Sequence, residues 1–195
     1  METAFAIEKD RIIISVDDLK KKGLTLYKIN KLVDHGILKK LNKKFYLNTA
    51  YDGEESDFYY AYAYVPSGVV CLMSAAVYYN LSVYRPDDVD VAIARKSKDS
   101  TLPDWPEINL HYYTDERFEL GIEQVAEGKN CFRIYNIEKT IVDIVFYREK
   151  VGIEATKEVL VNYLRRKDRN LNRLIGYAEL MKCGDVMKQY LEVLL

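Results

Sequence analysis

Residues Val16 to Leu47 read VDDLKKKGLTLYKINKLVDHGILKKLNKKFYL, and the spacing inside this stretch decides the fold of the N-terminal quarter of the chain. Ser15 or Asp17 offers a side-chain oxygen to the free amides of a first helical turn, and DDLKKK then runs to Gly23, a residue suited to the left-handed position that ends a helix. Thr25 caps a second helix, LYKINKLVDH, which Gly36 closes. Leu26, Ile29, Leu32 and Val33 recur on one side of it at helical spacing, while Tyr27, Lys28, Asn30, Lys31 and Asp34 take the other. ILKKLNKKFYLNT follows as two strands around Asn42-Lys43. Helix, glycine turn, helix, glycine and basic hairpin together make the layout of a winged helix-turn-helix, expected over residues 1–50. Just upstream, the β-branched Arg11–Ser15 predicts a short strand, and Met1–Lys9 a short helix with Ala4, Phe5 and Ile7 inward.

The polar side of the second helix carries chemistry that reads DNA. Thr25 faces the groove with Tyr27, Lys28, Asn30 and Lys31; Asn30 can bond adenine bidentately, Lys28 and Lys31 can reach guanine or phosphate, and Tyr27 can bond phosphate. The hairpin adds Lys39, Lys40, Lys43 and Lys44, a cation cluster that binds duplex backbone without sequence preference. Arg11 is the one arginine in this region, so bidentate guanine readout is limited and phosphate supplies most of the expected affinity. The competing interpretation is a winged helix that contacts protein, its lysines serving only to solvate it.

Charge separates this region from the rest. Residues 1–50 carry a balance of +5, residues 51–127 of −10 and residues 128–195 of +4. A basic end on an acidic middle suggests a nucleic-acid module joined to a part with a different partner. The whole chain, at 195 residues with 49% apolar and 30% charged, has room for a real core and for one large domain or two small ones. No apolar run approaches the ~18 residues of a membrane helix, so no membrane association is expected. METAFAIEKDR lacks a basic segment followed by an apolar one, which predicts no signal peptide. Cys71, Cys131 and Cys183 lie far apart, a pattern of free thiols in a reducing cytoplasm, and no C-x₂-C pair marks a metal site.

AYDGEES, residues 50–56, is polar and acidic and reads as a linker to an α+β domain over 56–195, a small mixed sheet flanked by helices. Asp57–Tyr64 fits helix or strand, and its place before Pro66-Ser67-Gly68 with its Ala/Tyr mix favours helix; Val69–Leu81 is predicted a buried helix rich in small residues. Val89–Ala94, Ile108–Tyr112 and Cys131–Tyr135 are predicted strands, with a hairpin or strand pair over Phe118–Glu127. Asn136 caps a helix over IEKTIVDIVFYRE, and helices follow over Gly152–Arg166, Leu171–Met181 and Asp185–Leu194. The fold class is therefore α/β in the α+β sense.

No enzyme chemistry is assembled. Asp88 and Asp90 would share a strand face as paired metal carboxylates do, but the glycine-serine and phosphate-cradling loops that accompany nucleotidyl transfer are missing, so Asp87, Asp88 and Asp90 read as a surface turn entering a strand. His35 ends the second helix, where a cation suits the dipole, and His111 lies in a strand without a Ser or Cys partner. No catalytic residue, metal or cofactor is expected. Asp143, set among apolar neighbours in the Asn136 helix, must be paired if buried, so Glu138, Lys139, Thr140 and Asp143 read first as a structural helix start and second as a partner contact. The basic run LRRKDRNLNR, 164–173, reads first as a solvated helix end, with contact to an RNA or to a partner protein as the alternatives.

Taken together, these motifs resemble the AbiEi family of antitoxins from type IV toxin–antitoxin systems. The matching residues are Leu19, Gly23 to Thr25, Ile29, Leu32-Val33, Gly36, Leu38, Lys40 and Tyr46, then Ser74 to Ala76 with Leu81, then Glu138 to Thr140 with Asp143. The resemblance spans nearly the whole chain. The wing departs from the family's Arg-Gly before its Tyr, reading Lys43-Lys44-Phe45-Tyr46, and Asn80 stands where Gly is usual. The resemblance implies an N-terminal domain that binds inverted repeats of double-stranded operator DNA and represses its own operon. It implies a C-terminal domain, marked by Glu138, Lys139, Thr140 and Asp143, that counters a nucleotidyltransferase toxin without needing a stable complex. The alternative is a plain winged-helix regulator whose C-terminal domain senses a ligand or dimerises. The DNA contacts expected are Thr25, Tyr27, Lys28, Asn30, Lys31, Lys40, Lys43 and Lys44.

Overall fold

The structure, a computed structural model, describes residues 7–84, 86–97 and 101–194. It is an α/β fold built on two sheets. The first sheet has three strands, β1 (Ile13–Ser15), β2 (Leu38–Lys40) and β3 (Phe45–Asn48), in the order β1-β3-β2 with both pairings antiparallel. Between β1 and β2 run α1 (Val16–Lys21) and α2 (Leu26–Asp34). Both helix starts are fixed locally: Ser15 Oγ accepts from the Asp18 amide at 3.0 Å, and Thr25 Oγ1 from the Lys28 amide at 3.4 Å. Gly23 and Gly36 follow the two helices at φ of 82° and 70°, a conformation that costs a residue with a Cβ.

Strand alternation gives the small sheet two differently occupied faces. Ile14, Leu38 and Tyr46 turn toward Leu19, Leu24 and Ile29 of the helical side. Ile13, Phe45 and Leu47 turn the other way and pack with Tyr59, Tyr60 and Phe132. The N-terminal module therefore shares a core with the rest of the chain across the stretch expected to be a linker. Asn130 reinforces the contact, its Oδ1 accepting from the Ile12 amide at 2.8 Å, and Lys129 pairs with Asp10 at 3.1 Å and Glu8 at 2.5 Å.

The second sheet comprises β4 (Val69–Val70), β5 (Asp88–Ala94), β6 (Glu107–Tyr113), β7 (Ile122–Glu127) and β8 (Asn130–Tyr135), in the order β6-β5-β4-β8-β7. It is mixed: β5 with β6 and β4 with β8 are parallel, β4 with β5 and β7 with β8 antiparallel. One face, through Val70, Val91, Ile93 and Ile134, meets α3 (Asp57–Tyr64) and its surroundings. The other, through Val69, Ala92, Tyr113 and Tyr135, meets α4 (Leu72–Tyr78), α6 (Ile137–Phe146), α8 (Ile153–Leu164), α9 (Leu171–Leu180) and α10 (Gly184–Leu194). The short α5 (Asp115–Glu119) and α7 (Arg148–Val151) complete the order. Among the described residues no helix is long and apolar enough to cross a membrane.

Four expectations are corrected. The helix expected over Val69–Leu81 is divided: Val69 and Val70 form the central strand, and the helix begins only at Leu72. A short apolar run buried on both faces carries no periodicity that separates strand from helix. The hairpin expected over Phe118–Glu127 is helix α5, then Gly121 at φ 73°, then β7 alone, which pairs with β8. Leu26 is 57% exposed rather than inward, because the first helical position overhangs the end of a small core that is centred on Ile29. Residues 7–10 are not helical, and the remainder of the expected Met1–Lys9 helix, with Ala4 and Phe5, lies outside the described residues.

Candidate nucleic-acid interface

Burial of Ile29 against β1, β2 and α1 turns the opposite side of α2 to solvent. Thr25, Tyr27, Lys28, Asn30 and Lys31 are all exposed there. The Tyr27 ring stands 69% exposed with the Lys31 ammonium 5.6 Å from its centre, so the two side chains form one protruding patch. His35 closes the helix with Nδ1 2.6 Å from the Lys31 carbonyl.

The hairpin is anchored by a residue at its turn. Asn42 Oδ1 accepts from the amides of Lys44 (2.8 Å) and Phe45 (3.0 Å), while Asn42 Nδ2 donates to the Ala63 carbonyl of α3 at 2.9 Å. A single side chain thus shapes the turn and holds it to the second unit. Lys39, Lys40, Lys43 and Lys44 are exposed, and among the described residues none of the four lies in an ion pair. Strand alternation divides them: Lys40 follows Leu38 on the helical side, and Lys39 lies on the opposite side.

On that opposite side is a cleft of about 980 Å³ that the sequence did not disclose. Lys39, Lys43 and Lys44 of the hairpin line it together with Tyr64, Pro103 and Trp105. Trp105 is 66% exposed and stands edge-on to Tyr60 at 5.6 Å. Its approach to the hairpin rests on the packing of α3, for which the sequence carries no local signal.

The second group of expected site residues lies inside. Glu138, Lys139, Thr140 and Asp143 on α6 are each no more than 1% exposed. Asn136 Oδ1 caps the helix through the Lys139 amide at 3.0 Å. Lys139 Nζ meets Asp143 Oδ2 at 2.5 Å, and the other carboxylate oxygen takes Arg117 of α5 at 3.0 Å. The Arg117 guanidinium lies 3.8 Å from the Phe146 ring centre and 4.6 Å from that of Tyr147, and Lys139 lies 4.1 Å from that of Tyr135. Burial pulls the Lys139 ammonium below its ordinary pKa, against Asp143, which favours its charge. Glu138 accepts from the Tyr163 hydroxyl and the Asn170 amide, both at 3.2 Å, and pairs with Arg173 at 3.3 Å. Gly121 passes so close that a Cβ would stand 2.8 Å from that of Lys139. These four residues hold α6 to the sheet and to α5, α8 and α9, and present no side-chain surface to a partner.

The carboxylates of β5 are also rearranged relative to expectation. Asp90 is buried rather than part of a surface turn, and it has partners: His111 Nε2 at 2.7 Å and Asn109 Nδ2 at 3.3 Å. The parallel register of β5 and β6 sets Asp90 opposite Asn109 and places His111 two residues along, opposite Ala92. Among the described residues no group of three or more His, Cys, Asp or Glu side chains is placed to hold a metal ion.

No family model and no curated protein matches the chain. Among solved structures, the crystal structure of the RV2827C protein from Mycobacterium tuberculosis is similar at a TM-score of 0.48 and 15% identity, over 94% of this chain and 76% of that one.

Proposed function

We propose that this protein binds double-stranded DNA, with α2 in the major groove and the β2–β3 hairpin on the adjoining backbone. The observation that carries the reading is the exposed set on α2 and the hairpin: Thr25, Tyr27, Lys28, Asn30, Lys31, Lys40, Lys43 and Lys44, beside a hairpin held in place by Asn42. The hairpin presents Lys40, Lys43 and Lys44 outside ion pairs among the described residues, which suits phosphate, and the exposed polar row on the helix matches base edges. Resting on its resemblance to AbiEi antitoxins, the proposed role is repression of its own operon from an operator, with a C-terminal part that counters a nucleotidyltransferase toxin in the cytoplasm. Because Glu138, Lys139, Thr140 and Asp143 are internal, the proposed action on a toxin runs through the surface that they hold in shape.

Gel shift with duplex from the upstream region tests the DNA half. Lys28→Ala with Lys31→Ala is expected to weaken binding and to lower the slope of log affinity against log salt by about one per lysine that meets phosphate. Unchanged affinity and slope would overturn the assignment of α2. Co-expression with an adjacent nucleotidyltransferase tests the other half, using the full chain carrying those two substitutions. Rescue of growth by this variant supports a separate antitoxin activity, and failure of the wild-type chain to rescue favours a plain regulator.

A further inference from the structure

We propose, resting on the DNA-binding reading above, that the cleft between the hairpin and the Trp105 segment is a second DNA contact, taking the sugar-phosphate backbone beyond the hairpin, so that the C-terminal unit itself touches the duplex. Lys43 and Lys44, the hairpin residues assigned to phosphate, are themselves part of the cleft wall. A phosphate held by either ammonium stands at the cleft mouth, and the chain opposite is Thr101 to Trp105. Lys39 deepens the positive wall from the face of β2 turned away from α2, where a contact made by α2 alone would leave it idle. The facing wall carries Asp104, one carboxylate against three ammonium groups, so the net character of the cleft stays cationic.

Trp105 supplies what a backbone contact needs besides charge: a flat, exposed ring with an edge that packs on deoxyribose and an indole N–H that donates to phosphate. Its position is fixed from behind by Tyr60, whose ring it meets edge-on. The hairpin wall is fixed as well, since Asn42 ties the turn to Ala63 and the Tyr64 hydroxyl donates to the Leu41 carbonyl at 3.4 Å. Two held walls of opposite chemistry, one cationic and one aromatic, suit a polyanion with apolar sugars.

Trp105 is the one tryptophan in the sequence, so its emission reports the cleft directly. The test titrates the full-length protein at low salt with a mixed-sequence duplex of about two helical turns, following gel shift and tryptophan fluorescence together, since backbone contacts do not depend on sequence. The expected result is a change in Trp105 emission that tracks the gel shift, and a salt slope lowered by about one in Lys39→Ala. A gel shift with no change in emission and no change in slope for Lys39→Ala overturns the second contact and leaves the α2 reading standing. No gel shift at any salt overturns both. A change in emission with a nucleoside monophosphate, at a lower phosphate concentration than the duplex requires, makes the cleft a small-ligand site and also overturns the proposal.

Discussion

Lysine is used in opposite ways in the two halves of this molecule. In the N-terminal module, Lys28, Lys31, Lys40, Lys43 and Lys44 stand in solvent on a helix and a hairpin whose other sides are packed. In the C-terminal unit, Lys139 is wholly buried, paired with Asp143 and set over the Tyr135 ring. The charge of a residue therefore does not state its role. The exposed cations are available to a polyanion at little cost to the fold, while the buried one is needed by the carboxylate beside it.

The largest expected effect is at Asp143. Asp143→Ala leaves Lys139 and Arg117 without their carboxylate inside the protein, and is expected to destabilise the chain by about 3–5 kcal/mol, measured by denaturant unfolding. Lys139→Met keeps the Asp143–Arg117 pair and should cost less. Removing a lysine from the hairpin instead, as Lys43→Ala, should stay within about 0.5 kcal/mol. Equal losses at Asp143 and Lys43 would abolish the distinction.

Alkaline pH separates the two halves as well. Burial raises the hydroxyls of Tyr79, Tyr135 and Tyr163 above the ordinary 10.0, with Glu138 adding to Tyr163, and burial takes Tyr60 to about 12. The folded state therefore keeps these protons where the unfolded chain has begun to lose them. Their contribution is complete below pH 10 and is lost as pH rises through the folded values. Tyrosinate absorbance is expected to rise together with loss of circular dichroism above about pH 10. Titration of all the tyrosines near 10 with the fold intact would contradict the burial of this group.

The smallest expected effect belongs to the module's own cap. Thr25→Ala removes the oxygen that accepts from the Lys28 amide and should cost about 1 kcal/mol, whereas Leu26→Ala, one residue on, should change stability by less than about 0.5 kcal/mol. Thermal unfolding of the two variants side by side checks this order.

The parts of the fold that sequence reasoning reached are those set within a few residues. Ser15, Thr25 and Asn136 act as caps because the amides they satisfy lie three residues on, and Gly23 and Gly36 end their helices through their own backbone freedom. The strand at Val69-Val70 escaped because burial on both faces erases alternation, and the partner strands that make it central, β5 and β8, come later in the chain. Of the candidate interface, the polar face of α2 and the hairpin lysines followed from period and turn. The cleft did not, because Lys39 and Trp105 are brought together by packing alone.

By itself, then, the sequence determined the order of helices and hairpin in the first fifty residues, the face of α2 that is buried at Ile29, and the need of Asp143 for a partner if it was to lie inside. Tertiary structure decided who that partner is. Arg117 reaches Asp143 from a different element, the far face of the small sheet is closed by α3 and Phe132, and Trp105 comes to line the same cleft as Lys39. Caps, glycines and periodicity act over one or two turns, whereas these contacts join residues far apart along the chain, and only the packed core specifies which of them meet.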